Sequence, residues 1–354
     1  CLAIALGKCG TDTARPTLAA ALEGESDFRT RCNILRGLSS YDLIPHQDAV
    51  VESLKDESLL VAQLAADLFY EKGNTEDAND YKKLARDTSL HWSIRARLYA
   101  AAQKHLPFYY SVSKGAINWD LTKWLNVEKD PYIIGAIIKA ISEDPKKYPQ
   151  LLNALDHEHS FVSTTAASQL KYVLDHKEFD IVFVTGKRTL QRAMNAKIEE
   201  KMKAGDAGTV AELTKVIGHK NLQPYGRAID YTYLDTTLLQ LNLPEQVETY
   251  NMLAAAIAKV KGRDAPEPKK VLFNHPIDWS ILDKITDNTK AVVETEKGDI
   301  ELTFLPQEVP GSVANFFDLA ERGYFDGKNF HRVVPNFVVQ GGCARGDGYG
   351  GLNY

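Results

Sequence analysis

The residues best suited to chemistry lie close together near the C-terminal end of the 354-residue chain. Arg332, Phe337 and Gln340 stand in two short apolar runs, and the dipeptide Pro335-Asn336 between the runs is a turn signal. Two short strands joined by such a turn can project a guanidinium and an aromatic ring into one shallow groove. The segment therefore predicts a groove in which a hydrogen-bonding cation lies beside an apolar floor.

The elements before this segment predict how it is held. Residues 290–296 alternate with β-branched side chains, Lys297-Gly298-Asp299 suits a tight turn, and residues 300–305 form a second strand, which together predict a β-hairpin. A helix follows, opened by Val309-Pro310 and closed by Arg322-Gly323, where glycine suits a left-handed cap. A hairpin and a helix thus precede the candidate groove.

The order of these elements strongly resembles the opening of the cyclophilins, the peptidyl-prolyl cis-trans isomerases. The resemblance runs from about Ala291 to Tyr354, and its glycine-rich part at residues 346–351 is more similar to bacterial cyclophilins than to the animal type. It implies the N-terminal part of an antiparallel β-barrel, rotation of X-Pro bonds in proline-containing polypeptide clients, and no metal or cofactor. It implies Arg332 as the catalytic residue, and as substrate-binding residues Phe337, Val338, Gln340 and His331.

The resemblance implies a separate task for most of these side chains. Arg332 would hydrogen-bond the amide nitrogen, which gains a lone pair as the bond twists. Phe337 would form the floor of the proline pocket, with Val338 where the family usually has Met, and Gln340 would hold the peptide backbone. Rotation faces a barrier of about 18–20 kcal/mol and breaks no bond, so the site need only bind the twisted amide better than either planar form.

Each residue also has an ordinary structural interpretation. Alone, Arg332 would be a solvated surface group, Phe337 a core residue and Gln340 a polar group on an edge strand, and only the joint pattern favours a site. For His331 we favour a hydrogen-bonded structural role, because the reaction transfers no proton. Phe330 is expected in the core.

Two residues differ from the family pattern, and the resemblance covers only the first part of that pattern. Val338 is smaller than Met, which implies a looser pocket, and Cys343 stands where an acidic residue is common and is interpreted as a partly exposed thiol. The family's remaining strands, with the aromatic, Asn, Trp and His residues that close the pocket, would lie beyond Tyr354. We therefore expect this stretch alone to be weakly active or inactive.

The first half of the chain predicts a different architecture, an all-α solenoid. Polar starts followed by apolar residues three and four apart recur at intervals of about thirty to forty residues, a pattern that resembles HEAT repeats. Asp or Ser at each start suits an N-cap, and Pro131 suits a first helical turn. Residues 189–217 and 243–260 also match long helices.

The predicted domains follow from these patterns. A HEAT-like helical repeat domain covers residues 1–261, a linker rich in proline and charge covers 262–288, and the truncated cyclophilin-type domain covers 289–354. The chain begins with Cys1, which is compatible with a lipid-bearing N terminus, but we prefer a start inside a repeat. The sequence then leaves the cellular compartment undecided, and a bacterial periplasm or envelope is favoured over the cytoplasm.

Composition excludes several other classes of protein. The net charge of −5 and the pI of about 6.0 argue against a nucleic-acid partner, and the longest apolar stretch, residues 132–141, is too short for a transmembrane segment. The four cysteines match no metal or disulfide pattern. Residues 156–159, Asp-His-Glu-His, offer metal-ligand types, but a solvated turn is the preferred interpretation.

Three functions compete on this basis. The leading one is an isomerase that assists protein folding, with the helical repeats recruiting protein partners. The second is a HEAT-type scaffold whose cyclophilin-like part binds proline-containing peptides without turnover. The third is a helical adaptor whose C-terminal piece is an unfolded remnant.

Overall fold

A computed structural model of the chain describes residues 2–11, 13–43, 46–225, 228–270, 275–286, 288–334 and 337–352. Cys1 and the predicted Pro335-Asn336 turn lie outside these residues. The chain divides into a helical unit, residues 1–240 with 252–266, and a C-terminal unit, residues 241–251 with 267–354. The domain boundaries expected at 261/262 and 288/289 stay predictions.

Helices form the regular structure of the first half of the chain. They are α1 (Leu2–Cys9), α2 (Ala14–Gly24), α3 (Phe28–Leu38), α4 (Gln47–Ser53), α5 (Leu59–Lys72), α6 (Ala78–Ala85), α7 (Trp92–His105), α8 (Ser111–Leu125), α9 (Pro131–Ile141), α10 (Tyr148–Ala154), α11 (Ser160–Leu174), α12 (Phe179–Val182), α13 (Lys187–Ala204), α14 (Ala207–Thr214), α15 (Tyr233–Gln240) and α16 (Val247–Val260). The division between the two units falls within α16.

The helical unit is built from helix pairs that contact their neighbours in order. α2 packs on α3, α4 on α5, α6 on α7, α8 on α9, α10 on α11 and α13 on α14. The second helices form a row, α3 on α5, α5 on α7, α7 on α9, α9 on α11 and α11 on α14. Helix pairs that pack mainly on the next pair along the chain are typical of an α-solenoid. The all-helical first region is confirmed, and its assignment to the HEAT type stays a prediction.

Side-chain caps explain where several of these helices begin. The Asp27 carboxylate accepts the Arg29 amide at 2.9 Å, and the Asp130 carboxylate accepts the Tyr132 amide at 2.8 Å ahead of the proline that opens α9. Ser58 differs from the expectation, because its hydroxyl makes no capping bond at the start of α5. Acidic caps of the predicted kind therefore define α3 and α9.

The prediction of one helix across residues 189–217 is wrong. α13 ends at Ala204, because Gly205 takes a left-handed conformation with φ of 76°. Asp206 then caps α14 by accepting the Thr209 amide at 2.9 Å. The glycine and the acidic cap together turn one apolar pattern into two packed helices. α16 likewise begins at Val247, later than the predicted residue 243.

The core of the helical unit is continuous from α2 to α9, and Phe69 and Tyr81 at its centre are fully buried. At one end, α1 approaches α3 so closely that a β-carbon on Gly7 would lie 2.4 Å from the Gly37 carbonyl oxygen. Glycine is therefore required at this crossing. Within the described part of the chain, no helix combines the length and the apolar character needed to cross a membrane.

The C-terminal unit contains two antiparallel hairpins and the helix between them. β1 (Lys290–Val293) pairs with β2 (Ile300–Thr303), and β3 (Arg332–Val334) pairs with β4 (Val338–Gln340), each pair a separate two-stranded sheet. The short helix α17 (Trp279–Leu282) packs against α18 (Pro310–Glu321). The predicted hairpin, helix and strand order is confirmed, with strands shorter than the apolar patterns indicated.

Candidate functional site

The hairpin of β3 and β4 brings three of the predicted site residues to one face. Arg332 pairs with Gln340, and Val334 pairs with Val338. Because paired residues and alternate residues of a strand share a face, Arg332, Val338 and Gln340 lie together. The Arg332 Nη1 atom donates a hydrogen bond to the Gln340 Oε1 atom at 2.6 Å. This charge-assisted bond holds the guanidinium across the hairpin.

Phe337 lies next to this face, directly before β4. Its side chain is 80% exposed, and its amide donates to the Val334 carbonyl at 3.0 Å, which closes the hairpin. The ring is thus an apolar surface open to solvent. Its role as the floor of a proline pocket stays a prediction.

His331 and Phe330 precede β3 and differ from each other in burial. His331 is half-buried, and its Nδ1 atom is shielded from solvent yet makes no hydrogen bond with the described residues. The expectation that Phe330 lies in the core is wrong, because 44% of it is exposed. Among the described residues, the sheet of β3 and β4 has only these two strands, so no second sheet covers Phe330. The Phe330 ring lies against Gly341, and a β-carbon added to Gly341 would come within 2.9 Å of the ring.

Aromatic residues connect α18 to the end of the site hairpin. The rings of Phe316 and Phe325 stack with centroids 4.9 Å apart, and Phe304 lies 5.9 Å from Phe316. The Tyr324 hydroxyl donates to the Gly342 carbonyl at 2.9 Å. These contacts position the backbone that follows Gln340, so the helix supports the face that carries Arg332.

The glycine-rich stretch after the hairpin is organised around a buried carboxylate. The Asp347 side chain is 1% exposed, binds the Arg345 guanidinium at 2.8 Å and accepts the Tyr349 amide at 2.9 Å. Cys343 corrects an expectation, because it is buried at 7% exposure and its sulfur accepts the Gly350 amide at 3.3 Å. The sequence analysis missed Asp347 as an anchor, although an acidic residue between two glycines is a recognisable signal.

The Asp-His-Glu-His stretch at residues 156–159 is used for local structure. Asp156 binds Lys197 and Lys201, each at 2.6 Å, and these lysines hold the pKa of its carboxyl below the usual range. His159 Nδ1 accepts the Phe161 amide at 3.2 Å and so caps α11. Across the described residues, no group of three side chains is arranged to hold a metal ion.

Comparison with known proteins identifies the C-terminal stretch. Residues 290–353 match the family model of the cyclophilin type peptidyl-prolyl cis-trans isomerase. A peptidyl-prolyl cis-trans isomerase of Synechococcus elongatus is 52% identical over 66 residues, which are 19% of this chain and 46% of that protein. Peptidyl-prolyl cis-trans isomerase B of Bacillus subtilis is 54% identical over 55 residues, 16% of this chain and 38% of that protein.

A third relative, a peptidyl-prolyl cis-trans isomerase of Helicobacter pylori, is 42% identical over 69 residues, 20% of this chain and 43% of that protein. The matched stretch thus spans less than half the length of each of these three relatives. No solved structure matches the chain. The matched residues contain both hairpins, α18 and the face that carries Arg332. Residues 290–353 therefore belong to the cyclophilin-type peptidyl-prolyl cis-trans isomerase family.

Proposed function

We propose that the protein is a peptidyl-prolyl cis-trans isomerase that rotates X-Pro bonds in polypeptide clients and so assists their folding. The observation that carries this proposal is the Arg332 guanidinium, held opposite Gln340 on one face of the hairpin at 2.6 Å. The family match over residues 290–353 supports the same activity.

The geometry suits the chemistry because rotation needs stabilisation of a twisted amide and no bond cleavage. A guanidinium has five N–H donors, so Arg332 keeps donors for the amide nitrogen of a substrate after binding Gln340. Val338, on the same face and half-buried, offers apolar contact to the proline ring. Phe337 offers a second apolar contact through its exposed ring.

The helical unit has a separate part in this proposal as the surface that recruits protein clients. The helix pairs pack in order along the chain, and such stacking is how solenoids build extended binding surfaces. Recruitment would raise the local concentration of X-Pro bonds near the hairpin, because binding to one part makes the second encounter intramolecular.

The test is isomerisation of an Ala-Pro test peptide by the protein expressed from its complete gene, compared with its Arg332→Ala variant. We expect the variant to lose about 10²–10³-fold in rate, the usual cost of removing one donor aimed at the transition state, while peptide binding persists. Arg322→Ala is the matched control, because this arginine is 71% exposed at the end of α18 and lies off the site hairpin. Equal rates for wild type and Arg332→Ala would remove the arginine from the mechanism.

A second candidate function is binding of proline-containing peptides without turnover. The 80% exposure of Phe337 favours it, because an open apolar surface binds a ring without excluding water from the amide. In that case the same experiment would give peptide binding to the wild-type protein with no rate above the uncatalysed reaction.

A further inference from the structure

A cavity of about 350 Å³ lies in the helical unit between α5, α7, α9 and α11. We call it the Lys139 cavity. Small alanine side chains on α7 and α9 form part of its wall. Its polar lining includes the residues Tyr70, Arg97, Lys139, Glu143, Gln169 and Tyr172. Cavities that bind ligands begin at about 300 Å³, so this one has room for one or two side chains.

A buried carboxylate fixes the two phenols of the Lys139 cavity. Glu143 is 4% exposed, and its two oxygens accept hydrogen bonds from the Tyr70 hydroxyl at 2.6 Å and the Tyr172 hydroxyl at 2.5 Å. Burial raises the pKa of Glu143 and raises the pKa of Tyr70 to about 12. With both of its oxygens engaged, this carboxylate is a support for the two rings.

Two of the cations near the cavity already have partners. Arg97 binds Asp67 at 2.7 Å and lies 3.5 Å from the centre of the Tyr70 ring. Lys104 binds Glu71 at 3.4 Å and lies 3.7 Å from the centre of the same ring. These pairs leave little positive charge available to a ligand.

Lys139 is different, because its ammonium makes no ion pair or hydrogen bond with any residue that the structure describes. The Lys139 side chain is exposed to solvent. The walls of the cavity still remove part of the water around its ammonium, and this desolvation, together with repulsion from Arg97, lowers the pKa of Lys139. This accessible cation in a concave, partly dry setting therefore has no counter-ion among the described residues. The group that would complement it is an anion.

We propose that the Lys139 cavity binds an acidic segment of a partner polypeptide, with a Glu or Asp side chain of the partner pairing with Lys139. The phenol oxygens of Tyr70 and Tyr172 keep lone pairs that can accept backbone N–H groups, and the Gln63 and Gln169 amides line the same cavity. A lining of amides, hydroxyls and alanine methyls suits a peptide.

This inference extends the proposed recruiting role of the helices and names the chemistry of the recruited partner. Its test measures binding, so it can fail or succeed independently of isomerase activity. The probe is a fluorescein-labelled peptide of alternating Glu and Ala, and its twin with Gln in place of Glu is the uncharged reference. Fluorescence anisotropy with the full chain measures both affinities.

We expect the Glu peptide to bind more tightly than its Gln twin, and Lys139→Gln to weaken that binding about tenfold, the usual cost of losing a hydrogen-bonded charge partner. Lys139→Arg keeps the charge and should retain most of the affinity. Lys123→Gln is the matched control, because this exposed lysine lies in the last turn of α8 and outside the cavity lining.

Equal binding of the two peptides, or equal weakening by Lys123→Gln and Lys139→Gln, would overturn the proposal. Glutarate binding at Lys139 without any binding of the Glu peptide would also overturn it, in favour of a small dicarboxylate. If Lys139→Gln fails to fold, chemical acetylation of lysines in the wild-type chain provides a second test of the proposal. The Glu peptide should protect Lys139 from an amine-acetylating reagent, read by mass spectrometry, and acetylation unchanged by the peptide would sink the assignment.

Discussion

The two units place their functional side chains by different physical means. In the C-terminal unit, Arg332 and Gln340 meet because they are paired across one short hairpin. In the helical unit, Tyr70 and Tyr172 meet at Glu143 across three helical regions separated by 73 and 29 residues along the chain. The first juxtaposition follows from local register. The second depends on how the helices stack, so it cannot be read from spacing.

The two units also differ in how deeply their apolar side chains are buried. Phe69 and Ile137 in the helical unit are fully buried, whereas Val333 and Val339 in the site hairpin are 53% and 56% exposed. Truncation of a fully buried side chain leaves a cavity, and truncation of an exposed one leaves little. The comparison therefore predicts unequal sensitivity to mutation in the two units.

The largest expected effect is on the stability of the helical unit. Phe69→Ala removes a fully buried ring whose centroid lies 5.2 Å from that of Tyr81, so the free energy of unfolding should fall by about 3–5 kcal/mol. Val333→Ala should change it by less than about 0.5 kcal/mol. Urea unfolding followed by helical circular dichroism measures the first variant, and amide hydrogen exchange of the site hairpin measures the second. Comparable losses for the two variants would contradict the difference between the units.

A smaller effect is expected for the residue that positions Arg332. Gln340→Ala removes the acceptor of the 2.6 Å bond, a hydrogen bond to a charged group worth about 1.5–3 kcal/mol, so the isomerisation rate should fall at least about tenfold. Val339→Ala, on the opposite face of β4, is the control and should leave the rate nearly unchanged.

A double-mutant cycle sharpens this prediction. In the Arg332→Ala background, Gln340→Ala should have little further effect on the rate, because the guanidinium that Gln340 holds is already gone. Additive losses of rate would mean that Gln340 acts directly on the substrate and does not act through Arg332. That outcome would fit a glutamine that holds the peptide backbone.

The smallest effect is a pH dependence of the helical unit. Burial raises the pKa of Tyr81 to about 12, above its ordinary value of 10.0, so the folded state favours the neutral phenol. Its contribution to stability is complete below about pH 10 and is lost as the pH rises through about 12. Tyr70 and Tyr99 are shifted in the same way, each to about 12, so the helical unit should lose stability over this alkaline range.

The Tyr81→Phe variant isolates the part of this alkaline loss of stability that comes from Tyr81. The variant should be about 1 kcal/mol less stable near neutral pH, because the Asn74 amide loses its 3.2 Å acceptor, yet it should lose less stability on going to alkaline pH. Tyr109→Phe, at 67% exposure, is the matched control. Urea unfolding at neutral and alkaline pH provides the measurement, and parallel alkaline losses in wild type and Tyr81→Phe would refute it.

Much of the fold was predictable where local chemistry decides it. The Asp130 cap and Pro131 define the start of α9, and the alternating pattern at residues 290–305 defines the first hairpin. The break at Gly205 was misjudged, because a helical apolar pattern continues through it and only the left-handed backbone there separates two helices. The exposure of Phe330 and the burial of Cys343 were misjudged because both depend on which elements cover them.

The sequence by itself determined the order of elements, the acidic caps of α3 and α9, and the two short runs that form the site hairpin, because each of these depends on residues close together in the chain. The tertiary structure alone decided that Tyr70, Glu143 and Tyr172 converge and that Lys139 lines the same cavity with no counter-ion among the residues that the structure describes. Hydrogen bonds between distant segments form only when packing brings those segments together. Their geometry therefore leaves no pattern in the spacing of the residues.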